Sequence, residues 1–93
     1  MSMSAIVLFL NIDEQRVAFT LQEAADRLDG AQNEAVLDFS SVRRIDSGAV
    51  RALKDFARVA DEKRVKVVLR GANVDVYKVL KLVRLTQRFS FKN

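Results

Sequence analysis

Ala35-Val36-Leu37-Asp38-Phe39-Ser40-Ser41-Val42-Arg43-Arg44-Ile45-Asp46-Ser47-Gly48 is where one periodicity gives way to another. Glu34 to Phe39 reads as a strand and Ser40 to Ile45 as a turn. From about Ser47 to Asp61 the residues Ala49, Ala52, Leu53, Phe56, Ala57 and Ala60 share one face at about 100° per residue, so the spacing predicts an amphipathic helix. Ser47, Arg51, Lys54 and Arg58 lie opposite them, and a hydroxyl thus begins an exposed basic stripe.

Upstream, Ala5 to Leu10 is a continuous apolar run, and a buried strand is expected from Ile6 to Asn11. The run is too short to span a bilayer, which needs about 20 residues. No Lys or Arg precedes it, so it lacks the basic flank of a signal peptide, and a cytoplasmic address without membrane insertion is expected. Arg16-Val17-Ala18-Phe19 reads as a short second strand. Thr20 to Glu23 has the form of a capping box, followed by Leu21, Ala24, Ala25 and Leu28 on one helical face and by Gly30 at the helix end. Downstream, Val65 to Leu69 is a β-branched strand stopping near Gly71. Val76, Val79, Leu80 and Val83 mark the buried stripe of a last helix, and Phe89 to Phe91 a final short strand. Strands alternating with helices of this length predict βα units. The expected fold is a single α/β domain over residues 1–93, with a mixed, mostly parallel sheet of four to five strands and its helices on one face.

Composition narrows the chemistry. Ninety-three residues, 49% hydrophobic and 30% charged, suffice for one core and the polar surface to cover it. Without Cys or His the chain has no thiol chemistry and lacks the commonest general base and zinc ligand. Glu14, Glu23, Asp26 and Asp29 have no nucleophile or metal partner near them in the sequence and read as solvated acids. No catalytic residue, metal or cofactor is expected. The net charge of +4 is unevenly spread. Residues 1–42 carry two basic and seven acidic side chains, a net −5, and residues 43–93 carry fourteen and five, a net +9. No groove-reading motif accompanies the basic half, so it reads as solvated surface rather than a nucleic-acid site, and so do Lys78, Lys81, Arg84 and Arg88.

Asp38-Phe39-Ser40 and Asp46-Ser47-Gly48, joined by a short turn and followed by an apolar helix face, resemble the STAS domain. That family contains bacterial anti-sigma-factor antagonists and the cytoplasmic tails of sulphate transporters. The resemblance covers Glu34 to Phe91 by pattern and the N-terminal third by element order. It implies a non-catalytic protein-interaction module that binds an anti-sigma factor with kinase activity. Contact would be made by Arg43, Arg44, Asp46, Ser47, Val50, Arg51 and Lys54, and phosphorylation would release the complex. The family's second hydroxyl position is Gly48 here and its following glycine is Ala49, which leaves Ser47 as the one phosphoacceptor candidate in the motif. An acidic residue that many phosphorylated members carry before the first helix has no match at Val17, Ala18 or Phe19. These departures also suit a non-switching STAS subunit held against the ATPase of an ABC-type lipid-transport system. A phosphate on Ser47 would add about −1.5 to −2 charges at a helix N-terminus with Arg51 one turn away, a position the fold tolerates and a docked acidic or apolar partner would not. The oligomeric state is left open by these patterns.

Overall fold

In the computed structural model, which describes residues 6–92, each of the first three strands is followed by a crossover that returns the chain in the same direction. The strands are β1 (Val7–Asn11), β2 (Glu34–Asp38), β3 (Lys66–Arg70) and β4 (Ser90–Lys92), and the helices are α1 (Val17–Arg27), α2 (Ser47–Glu62) and α3 (Val74–Leu82). Strand order follows the chain, β1-β2-β3-β4, and every pair is parallel. The sheet among the described residues is thus purely parallel and four-stranded, where the sequence allowed a mixed one.

The reason lies at the start of α1. Arg16 to Phe19 is no strand: the Asp13 carboxylate accepts a hydrogen bond from the Gln15 N–H at 2.9 Å and caps a 3₁₀ turn, Glu14–Arg16, which runs directly into α1. Val17, Leu21, Ala24 and Leu28 then fall at i, i+4, i+7 and i+11 and are all buried. Thr20 sits inside the helix, its hydroxyl donating to the Arg16 carbonyl at 2.8 Å, so the expected capping box does not form. Gly30 has φ +87° but lies in the loop beyond the Leu28 cap.

A parallel sheet wound in sequence by right-handed crossovers places every helix on the same side. Burial shows that side. Leu8, Ala35 and Val67 are level across three strands, as are Leu10, Leu37, Leu69 and Phe91 across all four, and these residues join the apolar cluster formed with Leu21, Phe56 and Leu80 of the helices. The alternate residues face away from the helices. On that side Val7 and Phe9 are each 48% exposed. Burying a Leu or Phe side chain contributes about 1.5–3 kcal/mol, and Phe39, Phe56, Leu21, Leu37, Leu53, Leu69 and Leu80 are fully buried on the helical side. The core is therefore one-sided, with α1 and α2 packed against each other over it.

Candidate functional site

The turn from β2 to α2 is anchored in the core by the buried Val42 and held by polar contacts at four further points. At the strand end, Asp38 Oδ1 accepts from the Ser40 N–H at 2.9 Å and also from the Ser40 hydroxyl, a tight Asx turn. These two bonds, together with the Arg70 guanidinium from the adjacent strand, hold the Asp38 carboxyl below the usual carboxylate range. Gly71 (φ +73°) packs beneath this turn, where a Cβ would come within 3.1 Å of the Ser40 side chain. In mid-turn, Glu14 Oε2 accepts from the Arg43 N–H at 2.9 Å. On the other flank Asn73 Nδ2 donates to the Arg43 carbonyl at 2.9 Å, while Asn73 Oδ1 caps α3 by accepting from the Val76 N–H at 2.8 Å. Finally Asp46 is the N-cap of α2, its Oδ1 accepting from the Ala49 N–H at 2.8 Å, an interaction worth about 1 kcal/mol.

Glu14 and Asn73 are the residues that sequence reasoning missed. Glu14 read as a solvated acid and is instead the bridge between the start of α1 and the α2 turn. An acid that follows a capping Asp by one residue was the available signal, but it has meaning only once the two turns are known to be adjacent.

With Asp46 occupied as the cap, Ser47 is free. It is the first helical residue, exposed, and among the described residues nothing accepts from or donates to its hydroxyl. Three of the first-turn N–H groups of any helix start lack intrahelical partners, and a partial positive charge collects there. Position 48 is open as well: a Cβ on Gly48 would stand 3.4 Å from Asp46 Oδ1, an ordinary contact, so the glycine is not required by the backbone.

The predicted contact residues do not form one patch. Asp46, Ser47, Val50, Arg51 and Lys54 line a groove of about 400 Å³ between α2 and α3, closed on its far wall by Val79 and Val83. These two valines, expected in the buried stripe of α3, are half-buried; Val76 and Leu80 alone from that stripe are fully enclosed. Arg44 faces the opposite way, into a cleft of about 380 Å³ formed with Glu14 to Phe19 at the start of α1, where the Arg16 guanidinium stacks 4.2 Å over the Phe19 ring. Ile45 and Asp46 border both and form the ridge between them. Arg43 is exposed on the turn and borders neither. The groove beside Ser47 is apolar at its floor and basic at its rim, and Arg58, the next member of the stripe, is tied to Glu62 at 3.3 Å. No cluster of potential metal ligands occurs among the described residues.

The family model described as "Mlab, STAS domain" matches residues 6–90 of the chain. No curated protein sequence matches. Among solved structures, the crystal structure of a protein described as an anti-sigma factor antagonist from Thermotoga maritima superposes with a TM-score of 0.76 at 19% identity, over 94% of this chain and 79% of that one. A sulfate transporter family protein from Wolinella succinogenes gives a TM-score of 0.76 at 21% identity, over 91% and 75% of the respective chains. At these identities the likeness is one of fold.

Proposed function

The chain belongs to the STAS domain family, and on that premise we propose that it is a non-catalytic docking module whose α2 corner and α2/α3 groove bind a cytoplasmic protein partner. The carrying observation is the division of labour at the helix start: Asp46 satisfies the cap, and Ser47 stands exposed at the mouth of an apolar groove rimmed by Arg51 and Lys54. A partner that inserts an apolar side chain between Val50 and Val79 and sets acidic groups against the rim fits this arrangement. In the reading we favour, the partner is an anti-sigma factor with kinase activity, and phosphate on Ser47 turns the rim against it. Arg51 one turn on would neutralise that phosphate within the domain, so the fold survives while the docked surface is repelled.

A second reading, a non-switching subunit bound to the ATPase of an ABC-type lipid transporter, is favoured by Gly48 and Ala49, which stand where switching members carry a hydroxyl and a glycine. Neighbouring genes separate the two: a histidine-kinase-like ATPase supports the first, a permease with a lipid-binding protein the second. Incubation with the neighbouring ATPase and ATP, followed by intact mass measurement, tests the switch. One added phosphoryl group, absent from Ser47→Ala, and several-fold weaker binding of Ser47→Asp with an unchanged melting temperature, are expected. An unmodified mass together with wild-type affinity of Ser47→Asp would leave the clamp alone.

A further inference from the structure

The face of the sheet turned away from the helices carries a charge pattern that matches its own two-fold copy. In the parallel register Glu34 is level with Lys66 and Asp38 with Arg70, so on this face β2 presents acids and β3 presents bases at the same heights. Between the two charged rows, Phe9, Val36, Val68 and Ser90 make a continuous row across all four strands. Phe9 is half exposed at the β1 end of that row and Lys66 and Arg70 are exposed, Val68 at its centre is closed over by its neighbours, and among the described residues no helix lies on the face. Among the described residues the one ion pair is Arg58–Glu62; on this face Asp38 is held by Ser40 and acted on by Arg70 of its own molecule, while Glu34 and Lys66 make no ion pair within it.

We propose that this open face binds a second copy of the chain, sheet on sheet, about a two-fold axis that runs parallel to the strands between β2 and β3. Such an axis lays β2 of one protomer over β3 of the other at unchanged height. Glu34 then faces Lys66 and Asp38 faces Arg70 of the other protomer, each pair made twice by the symmetry, and Phe9 covers the small Ser90 at the far edge. The resulting parallel strand directions suit aligned sheet packing, in which two faces meet about 10 Å apart at a crossing angle near −30°. The charge pattern also rejects the other in-plane two-fold axis. An axis perpendicular to the strands stacks each strand on its own copy and puts Glu34 over Asp38 and Lys66 over Arg70, like on like, which costs several kcal/mol. Four strands of five residues or fewer span roughly 17 by 19 Å, well short of the about 800 Å² per partner of a standard interface, so the dimer is weak and forms at high concentration. It leaves the α2/α3 groove free and does not rest on the function proposed above.

Sedimentation equilibrium from about 10 μM to about 1 mM spans the range in which so small an interface associates. Monomer–dimer behaviour is expected for the wild type. Glu34→Lys and Lys66→Glu, each alone, place like charges over one another and are expected to weaken association at least about fivefold, with unfolding midpoints recorded to show that both fold. An equimolar mixture of the two variants restores every attraction in trans and is expected to dimerise as the wild type does. A wild type that stays monomeric, single variants that associate unchanged or more tightly, or a mixture that fails to recover would each overturn the proposal.

Discussion

Asp46 and Ser47 stand side by side at one helix end and do different things, because only one of them is needed as a cap. Asp38, eight residues earlier, resembles them in the sequence and has a third role: it closes the Asx turn on Ser40 and never reaches the α2 helix. Its carboxyl is held low first by the Ser40 side-chain bond, then by the Ser40 backbone bond, with Arg70 adding to both. A carboxyl whose folded pKa is depressed contributes stability that is present above its unfolded value, near 4, and is lost as pH falls through the folded value. Asp38→Asn removes that contribution. The difference in urea midpoint between wild type and Asp38→Asn is therefore expected to be constant above about pH 5 and to shrink steadily below about pH 4. A difference that does not change with pH would mean the Ser40 bonds do not favour the charged form.

At the scale of elements, α2 and α3 end alike and without glycine. Arg64 (φ +58°) and Arg84 (φ +63°) occupy the left-handed position after each helix. The following N–H closes back five residues, from Val65 to the Ala60 carbonyl and from Leu85 to the Leu80 carbonyl, both at 2.8 Å, and Val65 and Leu85 are buried. A non-glycine residue held there carries backbone strain of about 1 kcal/mol, partly offset by the greater chain entropy of glycine in the unfolded state. Arg64→Gly is expected to raise unfolding stability by about 0.5 kcal/mol in urea titration, and a loss of that size would show that the Arg64 side chain itself makes a stabilising contact. These ends were invisible in the sequence because arginine does not advertise a left-handed turn. The start of α1 was misread for a related reason: Val17-Ala18-Phe19 is β-favouring in isolation, and only the Asp13 cap and the buried Val17, Leu21 and Ala24 commit it to a helix. By contrast β2, β3 and α2 were plain, the strands from their apolar runs and the helix from its period, while β1, expected as a buried strand, forms but leaves Val7 and Phe9 half exposed. Half of the candidate site was equally legible: the stripe Ser47, Arg51, Lys54 follows from helical spacing alone. The groove wall from α3 and the struts Glu14 and Asn73 come from distant segments, and spacing carries no information about those.

Across the whole molecule the uneven charge of the sequence becomes spatial. Two acids of the N-terminal half, Glu34 and Asp38, appear on β2, and bases of the C-terminal half on β3, on the rim of the α2/α3 groove and along α3, so one chain carries a mixed open sheet face and a basic helical face. Among the described residues no helix is long and apolar enough to cross a membrane. The two clefts flanking the Ile45–Asp46 ridge give the docking proposal its sharpest test, because Arg51 of α2 borders one and Arg16, in the 3₁₀ turn before α1, borders the other together with Arg44. Calorimetric titration of the partner ATPase with wild type, Arg51→Glu and Arg16→Glu compares them directly. Arg51→Glu is expected to weaken binding by about tenfold or more while Arg16→Glu stays within about twofold of wild type; equal losses, or the larger loss with Arg16→Glu, would contradict a partner seated between α2 and α3.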